Sequence, residues 1–296
     1  PLEIWAYDVS TKSLKVAKQR WNEVRQTSGH KVHYTTILEA LPIDIDLAIV
    51  SSTADARPRL TQALASQANI RAWVLEKLLA QSIEGLDVIA DAISAEDLAW
   101  VNTPTVLFPL YANVKSEIDT QPINAQLKYI NGIACNAIHY IDYICNLANA
   151  DVTKIETNKL TTWVRNVKRP ELFDVNGLMN IEFSDGSTLS IDGNASIRYH
   201  GAELKIRLSQ KDPSETWIIS DKDHKATSTL GNQVNGQPFS FQSDLTPKVV
   251  ECIFAGQDPG LPTLKQSMKQ HQILLNALLN HWNKVMPSKI TELSIT

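Results

Sequence analysis

The pair Glu76-Lys77 puts two groups that can bind or move a proton at the end of an apolar run, Ala72–Leu75. An ion pair at the edge of a buried strand costs desolvation free energy, which suggests that the charges are used. A lysine near a reacting hydroxyl can act as a general base when burial or charge lowers its pKa, and while charged it can hydrogen-bond a substrate oxygen. Glu76 can orient that amine or balance its charge. The alternative is a solvated surface pair at the start of a helix.

Three polar side chains recur at helical spacing in a later apolar stretch. Asn136, His139 and Asp142 follow one another at intervals of three residues and therefore share one side of a predicted helix. A histidine can exchange a proton near neutral pH, and an asparagine can orient a hydroxyl as donor and acceptor. The alternative is a helix with one polar stripe and a hydrogen-bonded histidine. Cys135, among apolar neighbours, is predicted to be inert packing.

An acidic residue, Asp8, ends the first apolar run of the chain. At the carboxyl end of the second strand of a dinucleotide-binding unit, a carboxylate accepts hydrogen bonds from the adenosine ribose and disfavours a 2′-phosphate, which predicts NAD rather than NADP. The alternative is a helix N-cap or a solvated turn residue, and the two interpretations are evenly balanced. The glycine-rich turn of such a unit belongs about twenty residues upstream. We therefore expect it to lie outside this chain and the first domain to be incomplete at its start.

Strand and helix patterns alternate through about residue 103. Strands are predicted over 2–7, 46–50, 71–75 and 98–101, and helices from Thr11, around Pro58 and from Ser82. This alternation is typical of βαβ units with a parallel sheet. Ligands bind at the carboxyl ends of such strands. The residues that follow three of the strands are therefore candidates for a binding site: Ser51, Ser52, Glu76, Lys77 and Asn102.

The second half of the chain changes to antiparallel patterns. Residues 131–148 predict a helix, and strands are predicted from about 152 to 250, with hairpin turns at Ser184–Ser187 and His200-Gly201. Residues 104–130 receive no assignment. A last helix over 263–284 has a seam made of Leu264, Met268, His271, Leu275, Leu278 and Trp282.

These patterns predict an α/β fold with two domains. Residues 1–103 form a Rossmann-like parallel sheet domain that lacks its first strand and glycine turn. Residues 104–296 form an α+β domain with a large, mostly antiparallel sheet, and the helix over 263–284 packs back on the first domain.

The composition of the chain restricts which cellular compartment and which partners are expected. The chain has 296 residues, of which 43% are hydrophobic, enough for two domains. The net charge of −4 argues against nucleic acid and an anionic membrane surface as partners. Three scattered cysteines suit a reduced, cytoplasmic protein. No apolar run approaches the roughly 20 residues of a membrane span, and no spacing of histidines and carboxylates indicates a metal.

Together these motifs resemble the family of glucose-fructose oxidoreductase, inositol dehydrogenase and related NAD(P)-dependent sugar oxidoreductases. The family's Glu-Lys-Pro motif stands here as Glu76-Lys77-Leu78. Ser52-Thr53 takes the place of a Thr-Pro turn, Arg57 stands where a histidine is frequent, and Asn102 matches an asparagine after the sixth strand.

The family's second motif is Gly-x-x-x-Asp-x-x-x-His with another Asp three residues on. His139 and Asp142 match its end, but its first Asp falls on Cys135. Asn136, one residue later, is a candidate substitute for that carboxylate.

The resemblance implies an NAD-linked dehydrogenase that acts on a sugar or sugar derivative, and it implies a separate role for each site residue. Lys77 would lie beside the reacting carbon and the nicotinamide, and His139 would donate or accept the proton. The substrate and cofactor would be positioned by a larger set of residues: Asn136, Asn102, Glu76, Asp8, Ser51 and Ser52.

The resemblance also implies a homo-oligomer formed through the exposed face of the C-terminal sheet. The apolar runs at 181–183 and 197–199 are the candidates for that contact.

Two competing hypotheses remain. The replaced carboxylate and the missing glycine turn favour a non-catalytic, regulatory protein that binds a sugar or nucleotide. The same scaffold also suits a reductase of another small molecule, such as an imine or a tetrapyrrole.

Overall fold

The computed structural model describes residues 1–24, 29–94, 97–118, 122–166, 169–195, 201–208, 210, 213–236 and 242–296. In its first part, three helices are α1 (Thr11–Glu23), α2 (Arg57–Gln67) and α3 (Ile83–Ala92). The strands are β1 (Glu3–Tyr7), β2 (Lys31–Thr35), β3 (Asp44–Ile45), β4 (Ala48–Val50), β5 (Asn69–Ile70), β6 (Ala72–Glu76) and β7 (Leu98–Asn102).

All strand pairs in this first part are parallel, as the alternating pattern predicted. β4, β6 and β7 form one sheet with β6 in the middle, while β1 pairs with β2 and β3 pairs with β5. The residues Ala72–Leu75 are all buried, because β6 has a strand on each side and helices on its faces. Helix α3 begins after the predicted Ser82, whose hydroxyl accepts the N–H of Gly85.

Strand β2 was not predicted. Its sequence, Lys-Val-His-Tyr-Thr, is polar and only partly buried, and β1 is its pairing partner. Edge strands of this kind lack the continuous apolar run by which buried parallel strands are recognised.

The second part contains four helices: α4 (Pro109–Glu117), α5 (Ile133–Ala148), α6 (Gln242–Phe254) and α7 (Leu264–Val285). Its strands are β8 (Asn124–Ile130), β9 (Val152–Arg165), β10 (Phe173–Phe183), β11 (Thr188–Gly193), β12 (Glu203–Leu208), β13 (Glu215–Ser220), β14 (Lys225–Ser228) and β15 (Gln233–Asn235).

These strands form one sheet of eight in the order β15-β14-β13-β12-β8-β11-β10-β9. Only β8 and β11 pair in parallel, so the predicted large, mostly antiparallel sheet is confirmed. The hairpin between β10 and β11 turns at Gly186, whose φ of +86° suits glycine. Residues 196–200 of the second predicted hairpin lie outside the described residues. Helix α6 begins where we expected strands to continue.

Helices α5 and α7 cover one face of the large sheet, and α7 also contacts β7 and α3 in the first part. A main-chain hydrogen bond of 3.0 Å from Val101 N to Pro262 O anchors the start of α7 beside β7. The predicted cap Thr263 forms a reciprocal capping box with Gln266. The division of the chain into two domains at about residue 103 remains a prediction.

The open face of the large sheet is polar rather than apolar. Ile181 and Phe183, which we expected there, are 1% and 4% exposed and belong to the core, while Glu182 between them is exposed. This expectation was therefore wrong for 181–183, and 197–199 lies outside the described residues. Within the part of the chain that the structure describes, no helix is both long and apolar enough to cross a membrane.

Candidate active site

The carboxyl ends of β4, β6 and β7 lie side by side. Val50 pairs with Leu75, and Glu76 pairs with Asn102, so the residues that follow these strands meet at one edge of the sheet. The Asn102 amide donates a hydrogen bond of 2.9 Å to Glu76 Oε2. Glu76 therefore fixes Asn102, and this contact ties the ends of the two strands together.

The Lys77 side chain crosses from this edge to helix α5. Its Nζ donates a 2.9 Å hydrogen bond to the carbonyl of Cys135 and lies 3.6 Å from Cys135 Sγ. Lys77 is half-buried and is followed by Leu78–Ala80, which are fully buried, and α3 begins only at Ile83. The alternative of a solvated pair at a helix start is therefore wrong.

His139 lies one helical turn after Cys135 and interacts with the Lys77 charge. Its Nδ1 is shielded from solvent and has no hydrogen-bond partner among the described residues. Burial, then the Lys77 charge and His271, hold the pKa of His139 well below its usual range. Its imidazole is thus neutral at physiological pH, with a nitrogen that can accept a proton.

Asn136 uses its amide hydrogens locally. Its Nδ2 donates to the carbonyls of Asn131 and Gly132, just before α5 begins. The amide therefore shapes the entry to the helix, and its Oδ1 is the atom left to meet a ligand.

Asp142 lies where α5 meets α7 and the end of β7. It accepts hydrogen bonds of 2.9 Å from Thr103 Oγ1 and 3.1 Å from Gln270 Nε2. Burial raises the pKa of Asp142 to about 6, although both hydrogen bonds oppose that shift. Asp142 thus links the end of β7, α5 and α7.

Arg57 joins the loops that follow β4 and β6. Its guanidinium is 1% exposed and donates to the carbonyls of Ser52 and Leu78. Burial lowers the pKa of Arg57 to about 10 against the opposing charges of Glu76 and Asp55. Ser52 Oγ is shielded without a partner in the described chain, and Ser51 is exposed.

Asp8 occupies the turn after β1. Its Oδ1 accepts the N–H of Ser10 at 2.7 Å, and Ser10 rather than Asp8 caps α1. Asp8 therefore makes the turn contact that was the alternative interpretation, and its Oδ2 is left to accept a hydrogen bond from another donor.

Two buried groups near Lys77 were not predicted as site residues. Asp174 in β10 is 2% exposed and accepts the N–H of Ala134 at the start of α5. His271 in α7 is fully buried, with Nδ1 2.8 Å from Ser267 O and no partner for Nε2 among the residues described. The presence of His271 in an otherwise apolar helix seam was a usable signal, whereas Asp174 offered none. In the described ranges, no group of three or more histidines, cysteines and carboxylates is arranged to hold a metal.

The chain is similar to known proteins in structure rather than in sequence. No protein-family model and no curated protein sequence matches the chain. An oxidoreductase from Agrobacterium radiobacter, solved with NAD+, L-tartaric acid and magnesium, superposes with a TM-score of 0.70 at 12% identity over 96% of each chain.

Two further solved structures are similar over almost the whole chain. Myo-inositol dehydrogenase from Lactobacillus casei, solved with NAD(H) and myo-inositol, gives a TM-score of 0.62 at 14% identity, covering 96% of this chain and 94% of that one. Biliverdin reductase from Synechocystis, solved with biliverdin and NADP+, gives 0.67 at 12% identity over 93% and 89%. The predicted resemblance is thereby confirmed at the level of the fold: the chain has the two-part architecture of the inositol dehydrogenase type of oxidoreductases.

Proposed function

We propose that the chain is an NAD-dependent oxidoreductase that transfers a hydride between nicotinamide and a secondary alcohol or ketone of a sugar or sugar derivative. One observation carries the proposal. The Lys77 amine leaves the carboxyl edge of the parallel sheet and reaches α5 of the other part, where neutral His139 lies within its electrostatic influence. A positioned amine and a neutral imidazole at the crevice of a Rossmann-like sheet suit proton transfer from an alcohol.

The described residues fit the two ends of a dinucleotide. Asp8 keeps one carboxylate oxygen for the adenosine ribose, and the shielded Ser52 Oγ has no partner within the described chain. Asn102, fixed by Glu76, and the exposed Ser51 would hold the nicotinamide side. None of the 11 glycines forms the Gly-x-Gly-x-x-Gly turn that cradles a pyrophosphate in such sheets.

The chain's own residues handle the proton. When bound, nicotinamide supplies the hydride acceptor or donor. In the oxidation direction, His139 accepts the hydroxyl proton. Burial and the Lys77 charge lower its pKa and thereby keep the imidazole unprotonated before the transfer. The Lys77 ammonium donates a hydrogen bond to the same oxygen and stabilises the negative charge that develops there. Asn136 Oδ1 would orient a neighbouring hydroxyl.

The substrate class, the compartment and the oligomeric state are proposed as well. A sugar-like substrate is supported by the fold shared with a myo-inositol dehydrogenase solved with myo-inositol. We further propose a cytoplasmic homo-oligomer formed through the open face of the large sheet, with no nucleic-acid or membrane partner. Because that face is polar, its contacts would be hydrogen bonds and ion pairs more than apolar packing.

Titration of the complete chain with NADH, followed by cofactor fluorescence, tests the proposal. We expect saturable binding, tighter than that of NADPH. A screen of polyols and sugars with NAD+, read as NADH absorbance, should then identify a substrate. Failure to bind either reduced nucleotide would overturn the proposal.

Asp8→Asn tests the adenosine end of the site. Asparagine keeps the acceptor for Ser10 N–H and removes the charge, and a charge-assisted hydrogen bond contributes about 1.5–3 kcal/mol. We therefore expect NADH affinity to fall about tenfold or more and the preference over NADPH to narrow. Fluorescence titrations with both nucleotides measure this. Asp46→Asn, exposed at the amino end of β4, is the control that should change neither. An unchanged ratio of NADH affinity to NADPH affinity in Asp8→Asn would show that Asp8 does not contact the cofactor.

A second candidate function is a binding protein without turnover. It is favoured by Cys135, which stands where the family motif has a carboxylate beside the catalytic histidine. NADH binding without turnover of any polyol, sugar, imine or tetrapyrrole would support it. Turnover of an imine or a tetrapyrrole alone would instead favour a reductase on the same scaffold.

A further inference from the structure

A buried carboxylate from the large sheet holds the first turn of helix α5. Asp174 Oδ1 accepts the N–H groups of Ala134 and Val175, each at 2.8 Å, and the carboxylate also accepts the N–H of Cys135. Such N–H groups lack partners within a helix, and the positive end of the helix dipole favours a negative charge there. Asp174 therefore fixes where α5 begins relative to β10.

The same turn of α5 holds Lys77 from the other side. The Cys135 N–H faces Asp174, while the Cys135 carbonyl accepts the hydrogen bond from Lys77 Nζ at 2.9 Å. Asp174 also interacts electrostatically with Lys77. One residue, Cys135, thus lies between a buried carboxylate, which accepts its N–H, and the proposed catalytic amine, which donates to its carbonyl.

The backbone before α5 is shaped around this carboxylate. Gly132 has a φ of +80°, and a Cβ at that position would lie 2.0 Å from Asp174 Oδ2. Only glycine satisfies both conditions, because other residues rarely adopt this conformation and would collide with the oxygen.

The groups around Lys77 indicate that Asp174 supplies the negative charge that balances its ammonium. His139 on α5 and His271 on α7 both have their pKa lowered, first by burial and further by the Lys77 charge, so both are neutral, and a histidine in either protonation state cannot balance the charge of Lys77. Glu76 interacts with Arg57 and accepts from Asn102. Cys135 occupies the position at which the family motif carries an aspartate.

We propose that Asp174 is a positioning residue of the active site: it holds the α5 turn that seats Lys77 and supplies the negative charge that is missing at Cys135. The catalytic relevance of Asp174 rests on the proposed function, whereas its contact with α5 and its effect on Lys77 can be tested without it.

The test measures the rate at which Lys77 is acylated by an amine reagent at fixed pH, by peptide mass spectrometry of the complete chain. Asp174→Asn keeps an oxygen acceptor and removes the charge. Because Asp174 holds the α5 turn whose carbonyl binds the Lys77 amine, its neutralisation should free the amine and raise the Lys77 labelling rate above that of the natural sequence. Asp192→Asn, exposed on the neighbouring β11, is the control that should leave the rate unchanged.

A rescue experiment separates charge from fold stability. In the double variant Asp174→Asn with Cys135→Asp, a carboxylate returns next to Lys77, so the labelling rate should return toward that of the natural sequence. If Asp174→Asn does not fold, Cys135→Asp alone decides: a second carboxylate should slow Lys77 labelling. Labelling of Lys77 that is indifferent to both substitutions would overturn the proposal.

Measurements of turnover and NADH affinity distinguish a failure of the positioning role of Asp174 from a failure of the proposed function. NADH affinity should be unchanged in Asp174→Asn, and the pH profile of turnover should shift with the Lys77 labelling. A chain that binds no nicotinamide nucleotide but shows the labelling response would sink the dehydrogenase proposal and retain the positioning role.

Discussion

Replacing Lys77 with methionine is expected to reduce turnover about a hundredfold to a thousandfold, in the range found when a donor that stabilises developing negative charge is removed. Methionine keeps most of the apolar stem and removes the amine that would contact the substrate oxygen. The Cys135 carbonyl loses one donor, while α5 retains its contacts with Asp174 and the sheet. NADH affinity should stay within about twofold, because Lys77 is assigned to the substrate oxygen. Steady-state kinetics and fluorescence titration measure the two effects separately.

Lys128→Met is the matched control for this substitution. Lys128 is exposed on β8, on the face of the large sheet away from α5, so its loss should leave both turnover and NADH affinity unaltered. Full turnover in Lys77→Met would remove the lysine from the mechanism. A large loss of NADH affinity in the same variant would assign it to the cofactor instead.

The meeting of Lys77 and α5 could be predicted because it depends on general rules of parallel sheets. The residues that follow buried strands collect at one sheet edge, and the apolar runs of β4, β6 and β7 were long enough to be recognised. The helical spacing of Asn136, His139 and Asp142 likewise placed them on one helix. Spacing alone could not assign their partners: the Lys77 charge lowers the pKa of His139, whereas Asp142 binds Thr103 and Gln270.

Asp174 could not be predicted because its partner is distant in sequence. Forty residues separate it from Ala134, and their contact depends on how α5 lies across β10. The same limit explains the error at Ile181 and Phe183. Alternation shows that two residues share a face of a strand, but the packing of α5 and α7 decides which face is buried. Helix α6 was missed because strands were expected to continue through that region.

Acidification should destabilise the protein through His271. Burial, opposed by a hydrogen bond at Ser267 and reinforced by the charges of Arg57 and Lys77, lowers the pKa of His271 from 6.5 to about 4. Between these values the unfolded chain binds a proton that the folded chain does not. The free energy of unfolding therefore falls as pH decreases, by up to about 3 kcal/mol from this histidine alone.

His271→Gln isolates that contribution. Glutamine removes the titrating group, so the stability of the natural chain relative to the variant should drop by about 3 kcal/mol between pH 7.5 and pH 4. Urea unfolding at several pH values measures the difference.

Asp142 and Asp174 act in the opposite direction, because their pKa values are raised to about 6 by burial and the folded state then binds protons more tightly. Both carboxylates are present in each protein, so their effects cancel in the comparison. His224→Gln, an exposed position, should show a difference that hardly changes with pH. A pH-independent difference for His271→Gln as well would mean that the imidazole keeps its ordinary pKa in the folded protein, contrary to its burial in α7.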